Sequence, residues 1–320
     1  EVFKAIQKDH PTEQSLISDT AKNLEMIRQF LIDHKIITLA SSVRAKVAET
    51  PQFLRATSFA SMDTPGPFET KATEAYYYVT PVEADWPAQQ KEEWLTAFNY
   101  YTTDIVSVHE AYPGHYVQFL CLNASRATKV EKIFGSYAFI EGWAHYAEQM
   151  MVDEGFPATA VQKSFKDAGS QSSNSNPSAS PSPARAGHSS GGEGEIRRAR
   201  YRLAQTDEAL LRICRFCVSI KMHCQGMTVD EATKFFQDNC YYEAKPAHRE
   251  AVRGAYDPEY LYYTLGKLEI FKLREDYRKQ QGSKFTLQKF HDEMLRHGAP
   301  PIRLLREVML RDPKGLAFRS

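Results

Sequence analysis

The sequence predicts a mainly helical fold of the α+β type, with a small β-sheet next to the helices. Apolar residues recur at helical spacing along most of the chain, whereas only two short stretches alternate in the manner of strands. The composition is that of a globular protein, with 42% hydrophobic and 25% charged residues. A chain of 320 residues is long enough to bury a sizeable core.

The first elements are a helix and two strands. Residues 12–34 place apolar side chains such as Leu24 and Ile27 on one side of a helix. Residues 43–50 and 75–80 each alternate and stop at a proline, which predicts two short strands. An edge strand here could hold an extended peptide through main-chain hydrogen bonds, or the strands could simply form a small packed sheet.

The later elements are helices, interrupted by one polar segment. Helical patterns cover residues 89–112, 139–148, 196–223, 259–279 and 286–296, and Thr228 with Glu231 predicts a capping box at the start of another helix. Residues 168–195 are rich in Ser, Gly and Pro and cannot bury enough surface to fold. We therefore expect residues 1–167 and 196–320 to be two parts of one domain, joined by a flexible insert.

The arginines of residues 196–203 form a basic helical face. Such a face could meet a substrate carboxylate, but it is more often solvated or salt-bridged. We expect these arginines to be solvated or salt-bridged.

Residues 109–115 read His-Glu-Ala-Tyr-Pro-Gly-His. Two imidazoles and an adjacent carboxylate are the groups of a hydrolytic zinc site, as two metal ligands and a general base. The two His lie six positions apart, so on an ideal helix they would point about 120° apart and be separated by roughly 9 Å along the axis. A regular helix could not bring both to one ion.

Pro113 and Gly114 stand between the two His and can remove this obstacle. Proline lacks the N–H that would bond back to the carbonyl of His109, and glycine adopts backbone angles that other residues avoid. We expect a bulged metal-binding helix with Glu110 on the metal side. The alternative is a helix that ends at Tyr112, with two unrelated surface His.

A third ligand should come from a separate segment, and residues 139–148 supply candidates. Glu141, His145 and Glu148 are spaced i, i+4 and i+7, so they share one helical face. Taken alone, the segment could also be an amphipathic helix with its polar side turned to solvent.

Together these motifs resemble a known family. His109-Glu-x-x-Pro-Gly-His115, followed by Glu141-Gly-Trp-Ala-x-Tyr-x-Glu148, is similar to the bacterial "domain of unknown function 885" family, which is placed among zinc metallopeptidases of the gluzincin type. Glu141-Gly-Trp-Ala also resembles the Asn-Glu-Gly-Phe-Ala stretch of aminopeptidase-N-like enzymes. Further similar stretches lie at residues 254–267, 290–292 and 298–302.

The resemblance implies roles for individual residues. His109, His115 and Glu141 would hold one Zn²⁺ per chain, and Glu110 would act as general base towards a metal-activated water. His145 departs from the family pattern, so His145 and Glu148 remain alternative ligands or residues that support the ligands. The donors for an oxyanion would be Tyr263 or His223, and Arg253 and Tyr262 would contact substrate.

These features predict a zinc-dependent hydrolase, and first a peptidase that cleaves short peptides. Hydrolysis of a non-peptide amide is a second interpretation, and a substrate panel would separate the two. A third is a non-catalytic helical binding module with a structural metal, in which Glu110 would have no use. Substrate identity, cleavage mode and oligomeric state stay open.

The overall composition excludes other classes of protein. Lys+Arg and Asp+Glu both number 40, so there is no basic surplus for a nucleic-acid partner. No apolar run approaches the ~20 residues of a transmembrane helix. The five cysteines predict buried, reduced thiols rather than disulfides or a second zinc site. The chain begins at Glu1 and enters a helical pattern at once, so we expect a missing N-terminal portion. No signal peptide is visible, and periplasmic, secreted and cytoplasmic locations stay open.

Overall fold

A computed structural model describes residues 2–55, 58–71, 73–157 and 191–311. In this part of the chain the fold is mainly helical with one small sheet, so the predicted fold class is confirmed. The helices are α1 (Val2–Gln7), α2 (Leu16–Asp33), α3 (Ala88–Ala97), α4 (Tyr100–Glu110), α5 (His115–Ala124), α6 (Lys129–Ile133), α7 (Tyr137–Asp153), α8 (Gly191–Gln225), α9 (Val229–Cys240), α10 (Ala244–Tyr256), α11 (Tyr262–Gln281), α12 (Leu287–Leu295) and α13 (Ile302–Met309). The strands are β1 (Lys46–Glu49), β2 (Ala60–Asp63) and β3 (Tyr76–Val79).

The three strands form one sheet in the order β1-β3-β2. β1 runs parallel to β3 and β2 antiparallel to it, so the two predicted strands are neighbours and the unpredicted β2 lies at an edge. Tyr77 in the central strand is fully buried, and its hydroxyl accepts a hydrogen bond of 3.2 Å from Ser107 Oγ. This contact holds the sheet against α4.

The segment expected as one helix over residues 89–112 consists of two helices, α3 and α4. The chain turns at Asn99, whose side chain caps α4 by accepting the backbone N–H of Thr102. Asp104, fully buried in α4, accepts hydrogen bonds of 2.8 Å from Asn23 in α2 and 2.6 Å from Tyr201 in α8. Burial raises the pKa of Asp104 to about 6, against the effect of these two donors. α4 is therefore held from both sides before it reaches His109.

Helices α7 and α11 cross at two glycines. A Cβ built on Gly142 would lie 2.6 Å from the Cα of Gly266, and one on Gly266 would lie 1.8 Å from the carbonyl oxygen of Ala138. Only glycine at both positions allows the two backbones to come this close. The crossing brings the first turn of α11, with Tyr263, next to the first turns of α7, with Glu141.

Replacing Gly266 by Ala is expected to lower the free energy of unfolding by about 3 kcal/mol, because the added methyl group meets backbone that cannot move aside. The matched control is Gly192→Ala in α8, where a Cβ meets nothing within 4 Å. Helix propensity alone should make that variant more stable by up to about 1 kcal/mol. Chemical denaturation of both variants measures the difference, and a Gly266→Ala protein as stable as the wild type would contradict the close crossing.

Three further expectations concern α8, its basic face and the start of α9. The capping box of Thr228 and Glu231 at the start of α9 is confirmed. α8 begins at Gly191, so residues 191–195 of the expected insert are helical, while residues 168–190 lie outside the described residues. In the basic face of α8, Arg202 pairs with Asp153 and Arg200 donates to Tyr101. The face is thus salt-bridged and hydrogen-bonded, as expected.

All five cysteines fall within the described residues and are free. Cys214 and Cys240 are buried between α8 and α9, in agreement with the expectation of buried thiols, whereas Cys224 is exposed. Within the described part of the chain, no helix is both long enough and apolar enough to span a membrane.

Candidate metal centre

The segment between His109 and His115 breaks the helix completely. α4 ends at Glu110 and α5 begins at His115, so two helices replace the single bulged helix that we expected. The N–H of Gly114 donates to the carbonyl of Val108 over 3.0 Å, and a Cβ on Gly114 would lie only 1.7 Å from the carbonyl oxygen of His109. Glycine therefore lets the chain fold back over the last turn of α4. The alternative of two unrelated surface His does not hold either, since both are buried.

The break is attached to α7 by one side chain. The indole N–H of Trp143 donates to the carbonyls of Pro113 and Gly114 over 3.0 and 3.3 Å. Trp143 is fully buried, so both carbonyls have a partner away from water. Because Glu141 precedes Trp143 by two residues, the same attachment brings Glu141 to the two His.

His109, His115 and Glu141 form a compact group whose potential ligand atoms all lie within 4.8 Å of one another. Oε2 of Glu141 lies 3.4 Å from Nε2 of His109 and 3.5 Å from Nε2 of His115. Three ligands with bonds of about 2.0–2.1 Å around a tetrahedral Zn²⁺ have donor atoms about 3.3 Å apart. Oε2 of Glu141 is buried without a hydrogen-bond partner among the described residues, which fits an atom placed to bind an ion.

Glu148 lies behind His109, on the side away from Glu141. Its Oε1 accepts a hydrogen bond of 2.7 Å from Nδ1 of His109, and its Oε2 one of 3.0 Å from Nδ1 of His145. A proton held on Nδ1 leaves the lone pair of His109 on Nε2, the nitrogen that faces Glu141. Glu141 is therefore the carboxylate that faces the two His as a potential ligand, and Glu148 and His145 lie behind His109.

Glu148 is fully buried and stays ionised because positive charge lies close to it. Burial alone would raise the pKa of Glu148, but the charge of Arg212, 3.3 Å away, and the donors His145 and His109 hold this pKa well below its usual range. Burial lowers the pKa of His145 to about 4 despite the nearby carboxylate, so His145 is neutral at pH 7.

The two His of the group differ in how they are supported. Burial lowers the pKa of His109, but the nearby carboxylates of Glu141 and Glu148 outweigh it and raise this pKa to about 10. A proton therefore competes with a metal ion for Nε2. Nδ1 of His115 is buried and has no hydrogen-bond partner among the described residues.

Glu110 is the last residue of α4 and lies next to the group. Burial raises the pKa of Glu110, while the charges of His109 and His115 and a hydrogen bond from the backbone N–H of Met62 lower it in part. Met62 belongs to β2, so the edge strand of the sheet holds this carboxylate. The structure thus brings Glu110 together with the three potential ligands.

Tyr263 covers the group from α11. Its ring lies over that of His109, with centroids 6.2 Å apart and planes inclined by 24°. Its hydroxyl accepts hydrogen bonds of 3.4 Å from Tyr137 and 3.5 Å from Arg253. With both acceptor positions used, the phenol keeps its own proton to donate elsewhere.

The remaining predicted residues lie further out. His223 is exposed, and its ring nitrogen lies 2.8 Å from the carbonyl oxygen of Gly254. No hydrogen bond or ring contact joins it to the potential ligands in the described residues, so the structure does not bring His223 into the group. Tyr262 packs edge-on against Tyr137, and Arg253 is paired with Asp257.

Sequence reasoning missed two arginines of α8. Arg212 pairs with Glu148, and Arg215 forms two hydrogen bonds of 2.7 and 2.8 Å with Glu250. Both guanidinium groups lie against the ring of Tyr263 at 5.7 and 5.6 Å. The only sequence signal was arginine on an otherwise apolar stripe beside Leu211, Cys214 and Val218, which are buried.

One family model matches most of the chain. The family model described as "Bacterial protein of unknown function (DUF885)" matches residues 1–173 and 191–309. No curated protein matches this chain.

Two solved structures are similar over almost the whole chain. One, described as "a putative lipoprotein of unknown function from Shewanella oneidensis", is 26% identical with a TM-score of 0.76, over 97% of this chain and 48% of that one. The other, described as "the putative lipoprotein from Colwellia psychrerythraea", is 19% identical with a TM-score of 0.70, over 94% of this chain and 44% of that one. This chain therefore spans about half the length of the solved proteins that it resembles.

Proposed function

Starting from the fact that this chain belongs to the bacterial DUF885 family, whose model matches most of it, we propose that it is a zinc-dependent hydrolase, and first of all a peptidase of the gluzincin type. His109, His115 and Glu141 would hold one Zn²⁺ per chain, and Glu110 would be the general base. A peptide or another small amide would be the substrate.

One observation carries the proposal. A buried carboxylate oxygen of Glu141 faces two imidazole Nε2 atoms at 3.4 and 3.5 Å and has no hydrogen bond of its own in the described residues. Because Nδ1 of His109 is bonded to Glu148, its Nε2 is the nitrogen turned towards Glu141, and a metal ion would displace the proton that competes for its lone pair. When bound there, zinc would act as a Lewis acid towards water and a carbonyl oxygen.

Glu110 has the surroundings of a proton acceptor. It is held by the N–H of Met62 beside the two His, at the boundary between the buried group and the sheet edge. Its carboxylate would take a proton from the attacking water and pass it to the leaving amine. A structural metal site would have no use for such an unliganded carboxylate.

Two neighbouring features suit a peptide carbonyl. Tyr263 can donate its remaining proton to an oxyanion, and its charge-neutral phenol needs no counter-ion. β2 is an edge strand whose residue Met62 already contacts Glu110, so an extended substrate could lie along it.

Purified protein is expected to contain about one zinc per chain, and Glu141→Ala is expected to lose it. Removing a hydrogen-bond partner behind a ligand typically costs 10–100-fold in metal affinity, so removing a ligand should cost more than about 100-fold. The measurement is metal content by elemental analysis, followed by zinc titration of the metal-free protein. Glu154→Ala, an exposed carboxylate at the end of the same helix, serves as the control. Equal zinc affinity in the two variants would refute the proposed ligand set.

The nature of the substrate requires a separate experiment. Free peptides, acylated amino acids and cell-wall amides should be incubated with zinc-loaded protein, and the products identified by mass spectrometry. Cleavage of peptides supports the proposal in full. Cleavage of only the other amides supports hydrolase activity and contradicts peptidase activity. Absence of turnover, together with tight zinc binding, would favour a binding module.

A further inference from the structure

A cavity of about 330 Å³ opens between the start of α5 and the loop that joins β2 to β3. Its walls include Val43, Pro65, Pro67, Phe119 and Leu120. We propose that this cavity receives an apolar side chain of the substrate, from a residue that flanks the bond to be cleaved. The inference rests on the proposed function and specifies its substrate class.

The cavity is connected to the metal centre through α5. Phe119 follows His115 by four residues, so the two side chains lie on the same face of the helix. Their ring centroids are 6.3 Å apart. The side chain that forms a wall of the cavity therefore also contacts a potential zinc ligand.

A second connection runs through the sheet edge. The N–H of Met62 holds Glu110, and Thr64, two residues further along the chain, lines the cavity. Thr64 directly follows β2, so the cavity begins where the strand that holds Glu110 ends.

The chemistry of the walls favours apolar groups. The hydroxyl of Tyr116 donates to the carbonyl of Val43 over 3.0 Å, and the amide of Asn123 donates to that of Pro65 over 3.5 Å. These polar atoms are thus used in bracing the walls. The hydroxyls of Ser41, Thr64 and Thr73 also line the cavity, but the larger share of its surface is apolar. The carboxylate of Glu69, which also lines the cavity, disfavours an acidic side chain.

Another cavity, of about 450 Å³, lies beside α13 and is lined by charged residues such as Arg126 and Glu131. In the described part of the chain no hydrogen bond or ring contact joins its lining residues to His109, His115 or Glu141, whereas Phe119 of the cavity beside α5 contacts His115. The cavity beside α5 is therefore the better site for a side chain of the substrate.

The test uses free pentapeptides Ala-Ala-Xaa-Ala-Ala, in which Xaa is Leu, Phe, Gly, Lys or Asp. For zinc-loaded wild-type protein, kcat/KM at a bond next to Xaa should be at least about 10-fold higher for Leu and Phe than for Gly or Asp, which is the effect of a filled apolar pocket. Val43→Trp fills the cavity from an exposed position and should abolish this preference. Val130→Trp, at an exposed valine outside the cavity, should leave it unchanged.

Binding supplies a readout that does not depend on turnover. In Glu110→Gln protein, calorimetric titration should show the Leu and Phe peptides bound at least about 10-fold more tightly than the Asp peptide, and Val43→Trp should remove the difference. Cleavage without any preference, or a preference that survives Val43→Trp, would overturn the inference and leave the proposed function standing. Preferential binding without cleavage would overturn the proposed peptidase activity and support the cavity as a side-chain site. Equal binding of all five peptides would overturn the cavity as a side-chain site.

Discussion

Replacing Glu110 by Gln is expected to lower kcat by about 10³-fold while the protein keeps its zinc, since a general base contributes roughly 10²- to 10⁴-fold. Gln has the same shape as Glu and can still accept the N–H of Met62, but it cannot take up a proton. The potential ligands His109, His115 and Glu141 are untouched. The measurement is kcat on a peptide that the wild type cleaves, together with zinc content per chain.

Glu154→Gln is the control for the same chemical change at an exposed position. It should match the wild type in both activity and zinc content. If Glu110→Gln keeps activity within about 3-fold of the wild type, Glu110 is not the base. If it loses zinc, its role is structural, and the loss of activity says nothing about proton transfer.

Replacing Glu148 by Ala is expected to lower the free energy of unfolding by about 3–5 kcal/mol, the usual cost of removing one partner from a buried ion pair. The reason is that Arg212 stays buried with Glu208 as its remaining carboxylate partner, and Nδ1 of both His109 and His145 loses its acceptor. Such a loss is a large share of the roughly 5–15 kcal/mol that stabilises a domain. Zinc affinity should also fall, by about 10–100-fold, because His109 loses its orienting partner.

Chemical denaturation and zinc titration measure these effects, with Glu154→Ala as a control expected within about 0.5 kcal/mol of the wild type. Glu148→Gln is a second variant that remains measurable if Glu148→Ala does not fold. It keeps one acceptor oxygen but turns an amide N–H towards a donor, so it should lie between the wild type and Glu148→Ala. A Glu148→Ala protein that behaves like Glu154→Ala would show that the buried network does not support His109.

The sequence was sufficient for much of the fold. Helical spacing predicted α2 and α8, because each buries one apolar face. It also predicted α7, which the tertiary structure buries on most of its sides. The strand β2, with the sequence Ala-Ser-Met-Asp, was missed. It has no alternating or β-branched pattern, and it exists because β3 pairs with one of its edges while Glu110 contacts the other.

The composition of the candidate site was also visible in the sequence. The Pro-Gly pair between His109 and His115 predicted an interruption, since both residues act on their own backbone. Whether this would be a bulge or a complete break depended on Trp143 in another helix, whose indole N–H donates to the carbonyls of Pro113 and Gly114. No local pattern contains that contact.

The choice between Glu141 and Glu148 shows the limit most clearly. Both lie on one face of α7, so helical spacing cannot separate them. The ring of His109 lies between them, with Nε2 facing Glu141 and Nδ1 bonded to Glu148. Arg212 in α8 pairs with Glu148 and stabilises its negative charge. His223 is the opposite case, because the resemblance to the family suggested it for the site, whereas the structure places its ring beside the carbonyl of Gly254.

By itself, then, the sequence determined the fold class, the types of residue at the centre and the point where the helix must be interrupted. Each of these follows from interactions within a few residues along the chain. Only the tertiary structure decided which carboxylate faces the two imidazoles, which residues hold them in place and where a cavity opens beside them. These depend on distances of about 3 Å between atoms from segments far apart in sequence, and only the packing of the helices sets such distances.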